Sequence, residues 1–99
     1  MTKKLPDSEK YNLVSQARRS ACSICANIAE GYGRFHYQEN IQYCRQARGS
    51  LDETRDHLIA IGALYSKLKE EAIKIISTCL ELRPKINGYI SFLNRCKRT

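Results

Sequence analysis

The side chains in this sequence that are able to do chemistry are five cysteines, two histidines and a small set of carboxylates. Cys22 and Cys25 have the CxxC spacing that occurs in zinc knuckles and in redox pairs. A structural zinc ion needs four ligands, usually from two such pairs on turns, and a redox pair usually follows a strand. This pair is single and lies inside a helical pattern. We therefore expect the cysteines to be small core residues in a reducing cytoplasm, with no metal ion or other cofactor.

Paired carboxylates are the next candidates, because general acid–base catalysis often uses two of them. The glutamates that suit this role are Glu30 and Glu53. A partly buried charge needs a partner, so we expect these side chains instead to pair with Arg18, Arg34 or Arg48 and to fix a turn between helices. No nucleophile–base pair or phosphate-binding loop occurs in the sequence. We expect a protein that is not an enzyme and has no small-molecule substrate.

Positive charge is the other chemical feature of the chain. The 99 residues contain 17 Lys and Arg against 10 Asp and Glu, which gives a formal net charge of +7. Such an excess favours an acidic partner such as nucleic acid, and arginine forks suit phosphate oxygens. The candidate nucleic-acid contacts form two groups. One group is Arg18, Arg19, Arg34, Arg45 and Arg48, and the other is Arg95, Lys97 and Arg98 in an acid-free stretch near the C-terminus.

Aromatic residues interleave with one of these cations. Tyr32, Phe35 and Tyr37 surround Arg34, and rings beside cations are suited to stacking on nucleic-acid bases. Packing at the end of a helical bundle is the commoner use of such rings. The cations near the C-terminus have a second interpretation as well, because a solvated helix end also favours positive charge. The sequence leaves these alternatives open.

Helices must position these residues, because apolar side chains recur at spacings of three and four throughout the chain. We predict an all-α fold of three long helices, at residues 8–30, 36–62 and 67–97. Short turns between long helices produce an antiparallel up-and-down bundle, and the whole chain, 1–99, is predicted to be one domain. No run of 18 apolar residues occurs, which excludes a membrane-spanning helix, and we expect a cytoplasmic protein.

Three positions carry specific expectations within these helices. Gly31 is predicted to end the first helix with a positive φ, which glycine adopts without a Cβ clash. Gly49 lies in the middle of the second helix, where glycine is costly, and it predicts the close approach of another backbone. Pro84 predicts a kink at residues 80–83 of the third helix, which then resumes because the apolar pattern keeps its phase. A complete break at the proline is the alternative.

Two blocks of the sequence resemble a known protein family. Residues 27–34 read Asn-Ile-Ala-Glu-Gly-Tyr-Gly-Arg, which is similar to the NIAEGxGR signature of the 23S rRNA intervening-sequence proteins, a family of four-helix bundles. Residues 47–54 resemble the second block of that family, and Leu5 and Pro6 match the stretch that leads into the first. The residues to which the resemblance assigns a structural role are Asn27, Glu30, Gly31, Gly33, Gly49, Ser50 and Glu53.

The resemblance also implies an assembly and a partner. Family members carry a further amphipathic helix before the Leu5-Pro6 position and form ring-like homo-oligomers, commonly pentamers. This chain would then be a four-helix bundle without its first helix, with an apolar groove that is either exposed or covered by another subunit. The family's setting in rRNA genes and the cations together predict a homo-oligomer that binds RNA or another nucleic acid. The alternative is a structural protein whose groove docks a partner helix.

Overall fold

The computed structural model describes residues 7–98 of the chain, with the side chains of residues 9–97, and these residues fold into three long helices. No strand occurs in this part of the chain, so the predicted all-α class is confirmed. Leu5, Pro6 and the side chain of Arg98 lie outside the described residues. The helices are α1 (Asp7–Tyr32), α2 (Tyr37–Leu64) and α3 (Lys69–Arg98), and a turn of 3₁₀ helix at Ser66–Leu68 precedes α3.

The helix ends lie within two residues of the predicted bounds, but the end of α1 has a different cause. The helix continues through Tyr32, and no glycine among the described residues has a positive φ. The prediction that Gly31 stops α1 in a left-handed conformation is therefore wrong. Gly31 serves packing instead, because a Cβ atom at this position would lie 2.8 Å from both Asn40 Oδ1 and Tyr43 Cβ of α2.

The three helices form an antiparallel up-and-down arrangement with α2 in the middle. α2 packs against both neighbours, whereas no described Cα atom of α1 lies within 8 Å of one in α3. A closed three-helix bundle would bring α1 and α3 together. The observed arrangement corresponds instead to a four-helix bundle with one position open, as predicted.

The contact between α1 and α2 contains two pairs of small polar side chains beside the buried Ala17 and Ile24, and we call it the hydroxyl seam. Thr54 Oγ1 donates to Ser20 Oγ at 2.7 Å, and the hydroxyl oxygens of Ser23 and Ser50 lie 2.9 Å apart. Asn27 Nδ2 donates to the Ser23 carbonyl oxygen at 2.8 Å. The residue numbers of the bonded partners fall along α2 as they rise along α1, which shows that the two helices are antiparallel. Their short side chains allow the two helices to approach closely.

The contact between α2 and α3 holds most of the hydrophobic core, and we call it the apolar seam. Of the ten buried members of the core cluster, α1 contributes only Ile24. Polar pairs lie at the edge of this seam, where Arg83 donates to both carboxylate oxygens of Asp52 at 2.9 and 3.2 Å. Burial of a large aliphatic side chain contributes about 1.5–3 kcal/mol, so this seam is the main source of stability. Its larger buried members are Ile41, Leu51, Leu58, Ile86, Ile90 and Leu93.

α3 runs without interruption through Pro84. The helix continues beyond the proline, as predicted, and the alternative of a complete break is wrong. The kink at residues 80–83 stays a prediction. Proline removes one backbone donor, which leaves the carbonyl oxygen of Leu80 without its usual helical partner. Pro84 and Leu80 are both exposed, so water is able to solvate that oxygen.

The prediction that Gly49 marks a close approach between helices is also wrong. Gly49 is exposed, and a Cβ atom added to it would meet no other atom within 4 Å. The close contacts of α2 with its neighbours occur at Gly31 on the α1 side and at Gly62 on the α3 side. A Cβ atom on Gly62 would lie 3.4 Å from Ala72 Cβ.

Candidate nucleic-acid interface

One end of the bundle brings the turn between α1 and α2 next to the C-terminal part of α3. Lys97 Nζ donates to Gln38 Oε1 at 2.7 Å, and Asn40 Nδ2 donates to the Tyr89 hydroxyl at 3.1 Å. These two contacts fix the last turns of α3 beside the start of α2. We call this region, residues 32–38 and 89–97, the turn end.

Aromatic rings at the turn end are exposed to solvent. The exposed fractions are 79% for Tyr32, 94% for Phe35, and 49% for Tyr37 and Phe92. The interpretation of the first three rings as packing at the end of the bundle is therefore wrong for Tyr32 and Phe35. Sequence reasoning missed Phe92, although its place between the aromatic Tyr89 and the cations near the C-terminus was a usable signal.

Arg34 is held by a network within the turn end. Its guanidinium donates to Glu30 Oε1 at 2.6 Å and to the Tyr43 hydroxyl at 2.8 Å, and it lies 3.7 Å from Glu39 Oε2. Tyr43, more than Glu30, raises the pKa of this guanidinium, so the group remains charged. The two carboxylates offset its charge. Arg34 thus fixes the conformation of the turn, and the expected pairing of Glu30 with an arginine is observed.

The cations near the C-terminus have few acidic neighbours. Arg95 is exposed and makes no hydrogen bond or ion pair with another described side chain. Lys97 donates to the uncharged Gln38 and so keeps an uncompensated charge. Arg98 is the last residue of α3, and its side chain lies outside the described residues. No acidic residue follows Glu81 in the chain.

The structure does not gather the other group of predicted cations into one cluster. Arg18 and Arg19 are exposed near the middle of α1, about 20 Å along the helix axis from its C-terminal end at 1.5 Å per residue. Arg48 donates to Asn87 Oδ1 of α3 at 2.7 Å, and Arg45 donates to Gln42 of its own helix at 2.9 Å. Arg45 and Arg48 lie about 12 Å and 16 Å along α2 from its first residue at 1.5 Å per residue, so the predicted cations are spread along two helices.

The family-motif residues divide between the helix contact and the surface. Asn27 and Ser50 belong to the hydroxyl seam, and Gly31 permits its close approach. Gly33 lies in the turn, where a Cβ atom would come no closer than 3.6 Å to the Glu30 carbonyl oxygen. Gly49 is exposed, as described above.

Each of the two candidate carboxylates has a basic partner of its own. Glu30 bonds to Arg34, as described, and Glu53 Oε1 lies 3.4 Å from His57 Nε2 within α2. The prediction that Glu53 pairs with an arginine is therefore wrong. The i, i+4 spacing within one helix gave Glu53 a nearer basic partner.

The cysteines separate into buried and exposed members, and none of them forms a disulfide. Cys44 and Cys79 lie in the core as predicted, where burial raises the pKa of both thiols. Cys22 and Cys25 are exposed on α1, so their prediction as core residues is wrong. No group of three or more potential metal ligands occurs among residues 9–97.

A groove lies over α2 between α1 and α3, where the bundle has its open position. Its larger part has a volume of about 680 Å³, with Val14 of α1, Leu58 of α2 and Ile75 of α3 in its lining. A smaller apolar pocket of about 170 Å³ lies further along the same side, between Ile28 and Tyr89. Most of this lining is apolar. The predicted groove therefore lies open in the single chain.

The comparisons with known proteins agree with the two sequence blocks. A family model described as 23S rRNA-intervening sequence protein matches residues 1–88. No curated protein and no solved structure matches the chain. In the described part of the chain, every helix is too short or too polar to cross a membrane.

Proposed function

This chain belongs to the 23S rRNA-intervening sequence protein family, and from that premise we propose that it is a non-enzymatic, homo-oligomeric protein that binds RNA or another nucleic acid. The turn end is the proposed contact surface. Phosphates bind its cations, and the apolar groove serves self-association.

The nucleic-acid proposal depends on one observation. Exposed rings and uncompensated cations are concentrated at one end of the bundle. Lys97 is bonded to Gln38, the residue after Tyr37, and Arg95 follows Phe92 by three residues on α3. No carboxylate pairs with either cation among the described side chains. Cations bind a polyanion by releasing its condensed counterions, which makes the affinity depend steeply on salt. Several copies in one oligomer would multiply this positive field.

Removal of positive charge from the end of α3 tests the proposal. The variant Arg95→Gln/Lys97→Gln/Arg98→Gln removes three charges from the end of α3 and retains good helix formers. We expect it to weaken binding of a labelled RNA strand in fluorescence anisotropy at low salt. The plot of log affinity against log salt has a negative slope, and each lost phosphate contact makes it less steep by about 0.7. Loss of three contacts should therefore reduce the magnitude of the slope by about 2.

A matched control removes the same charge from the opposite end of the bundle. In Lys67→Gln/Lys69→Gln/Lys74→Gln, all three substituted lysines are exposed, and we expect RNA affinity close to that of the unmodified protein. Equal losses in the two variants would mean that net charge, and not the turn end, governs binding. Failure of the unmodified protein to bind RNA at low salt would exclude the proposal altogether.

Self-association is supported by the groove and by exposed apolar side chains outside it. Ile59, Ile73 and Leu80 are 52–56% exposed, and none of them lines the groove. A groove on one copy that receives a different surface of the next copy is a head-to-tail contact, which closes into a ring when the rotation permits. The family resemblance gives five as the expected copy number.

Light scattering tests this assembly. Ile75 lines the groove and is 48% exposed, so Ile75→Glu places a charge in the proposed contact without opening the core. We expect the mass of the oligomer to fall in this variant and to stay constant in Thr78→Glu, which is exposed on the same helix outside the groove lining. An oligomer of unchanged mass in Ile75→Glu would exclude the groove as the subunit contact.

Docking of a helix from a different protein is the second candidate function. The groove supports it, because an amphipathic helix fits an apolar groove through anchors at i, i+3, i+4 and i+7. This candidate requires a groove that is free in solution. A monomer in light scattering would favour it over self-association.

Binding, and not catalysis, is also the role that the motif residues support. Glu30 and Glu53 each bond to a basic side chain four residues away, which favours a structural use of both carboxylates. The five free cysteines support a location in the reducing cytoplasm.

A further inference from the structure

The turn end exposes more aromatic surface than phosphate binding requires. Lysine and arginine alone are sufficient to bind phosphates of either duplex or single-stranded nucleic acid. We propose that the rings of the turn end stack on unpaired bases, so that the ligand class is single-stranded nucleic acid. This inference rests on the proposed nucleic-acid binding and specifies which form of nucleic acid is bound.

Phe35 is the central ring of this site. It is 94% exposed, and its one ring contact is an edge-on contact with His36, with centroids 5.4 Å apart and planes at 86°. At 94% exposure the faces of the Phe35 ring are open to solvent, and a base stacks on a face. Tyr32 is 79% exposed three residues earlier, which places a second ring on the same turn.

The turn that carries these rings is held in place before any ligand binds. Arg34 lies between Tyr32 and Phe35 and bonds to Glu30, while it also contacts Glu39 and Tyr43 of the next helix segment. A ring on a fixed support loses little conformational freedom on binding, so more of the stacking energy appears as affinity. Arg34 is thus a positioning residue for the rings.

Cations that could bind phosphates lie close to these rings. Lys97 is bonded to Gln38, the residue after Tyr37, so a cation lies beside the start of α2. Phe92 stacks on Tyr89 with centroids 6.2 Å apart and remains 49% exposed, three residues before Arg95. Alternating rings and cations are the arrangement by which single strands are bound, with bases on the rings and the backbone along the charges.

A duplex does not use this surface in the same way. Its bases are already stacked on each other and paired, so ring faces at the end of a helical bundle reach only its phosphates and sugars. The rings therefore add affinity for an unpaired strand and none for a duplex. Single-stranded loops and ends, whose bases are accessible, are the form that aromatic side chains bind.

The test compares two probes with the full-length protein. One probe is a labelled oligo-U strand of about 12 nucleotides, and the other is an RNA duplex of the same length. We expect the strand to bind more tightly in fluorescence anisotropy. Phe35→Ala should reduce strand affinity about tenfold with duplex affinity unchanged, since that is the usual effect of losing one stacked base. Phe35→Trp should restore the strand affinity.

A matched control removes exposed apolar surface elsewhere. Leu64 is 54% exposed at the opposite end of the bundle, and Leu64→Ala should leave the affinity for both probes unchanged. Equal binding of strand and duplex by the unmodified protein, or strand affinity that survives Phe35→Ala, overturns the inference. A fall in oligomer mass for Phe35→Ala with unchanged strand affinity also overturns it, since the ring would then be a subunit contact.

The failure of this inference and of the proposed function are distinguishable. The protein could bind strand and duplex equally while the Arg95→Gln/Lys97→Gln/Arg98→Gln variant still weakens the salt dependence of binding. That result overturns only the stacking of unpaired bases. Absence of binding to both probes overturns the proposed nucleic-acid binding and the inference together.

Discussion

Along the hydroxyl seam α1 meets α2 through hydrogen-bonded serine and threonine side chains with few apolar ones, whereas along the apolar seam α3 meets α2 mainly through leucine, isoleucine and cysteine. The hydroxyl seam depends on close approach and directed hydrogen bonds, to which Gly31 contributes by having no side chain. The apolar seam depends on buried volume. One helix therefore uses two different means to hold its two neighbours.

The difference has a consequence for how each seam tolerates substitution. A hydrogen bond between neutral groups contributes about 0.5–1.5 kcal/mol, while removal of a large buried aliphatic side chain costs about 2–5 kcal/mol. The apolar seam should be sensitive to loss of volume. The hydroxyl seam should be sensitive to gain of volume. Substitutions matched across the two seams measure this contrast.

The largest effect is expected for loss of volume in the apolar seam. Leu93 is 2% exposed, and Leu93→Ala should lower the free energy of unfolding by about 2–5 kcal/mol in urea denaturation. Leu64→Ala is the control, because Leu64 is 54% exposed and its truncation leaves no cavity. Equal and small effects of the two substitutions would contradict the assignment of the core to this seam.

A glycine pair tests the sensitivity of the hydroxyl seam to added volume. Gly31→Ala places a Cβ atom 2.8 Å from atoms of Asn40 and Tyr43, and it should destabilise the fold by about 1–3 kcal/mol. Gly49→Ala places its Cβ atom in open space and should stabilise the helix by about 0.5–1 kcal/mol. Thermal unfolding measures both, with opposite shifts expected. Shifts of the same sign would refute the packing role of Gly31.

Removal of one hydroxyl tests the hydrogen bonds of that seam. Thr54→Val keeps the side-chain shape and removes the 2.7 Å contacts of the hydroxyl with Ser20 Oγ across the seam and with the Ser50 carbonyl oxygen within α2. The loss should cost about 1 kcal/mol because Thr54 and Ser20 are buried. Thr78→Val is the control, since the Thr78 hydroxyl is exposed and bonds only within α3. The difference between the two midpoints of urea unfolding gives the contribution of the interhelical bond. No difference would mean that shape alone holds α1.

The smallest effect is expected at the polar edge of the apolar seam. The hydrogen bonds from Arg83 lower the pKa of Asp52 in the folded protein. Stability from this pair is therefore present at neutral pH and is lost as the pH falls through that lowered value. Because the pair is more than one-third exposed, Asp52→Asn should cost no more than about 1 kcal/mol at pH 7.

The pH dependence has its own control. The difference in unfolding free energy between the unmodified protein and Asp52→Asn should shrink toward zero in strong acid. Asp56→Asn should show a smaller difference at every pH, because the Asp56 carboxylate is 72% exposed and lies 4.0 Å from Arg55. A difference that grows in acid would reverse the sign assigned to the Asp52–Arg83 pair.

The sequence was sufficient to predict the helices, because apolar spacing of three and four determines both their presence and their phase. It also contained enough to correct the prediction for Gly49. The buried stripe of α2 includes Ala47, Leu51 and Thr54, and Gly49 lies about 200° around the helix from Ala47 at 100° per residue. Close approach therefore had to occur elsewhere, and placing each glycine on its helical face would have indicated this.

The candidate site was less predictable, since it depends on which side chains meet across helices. Sequence alone does not indicate that Arg48 reaches Asn87, or that Glu39 lies beside Arg34 in addition to the expected Glu30. Exposure of Phe35 was equally open, because an aromatic residue in a turn is able to fold back onto the helix ends. The charge excess near the C-terminus was predictable, as it needs only composition.

The open position of the bundle has a mechanical consequence. No described Cα atom of α1 comes within 8 Å of one in α3, so α1 is held in the bundle by its contact with α2. Local unfolding of α1 separates the seam hydroxyls and leaves the α2–α3 hairpin intact. Backbone amides of α1 should then exchange with deuterium sooner than those of α3.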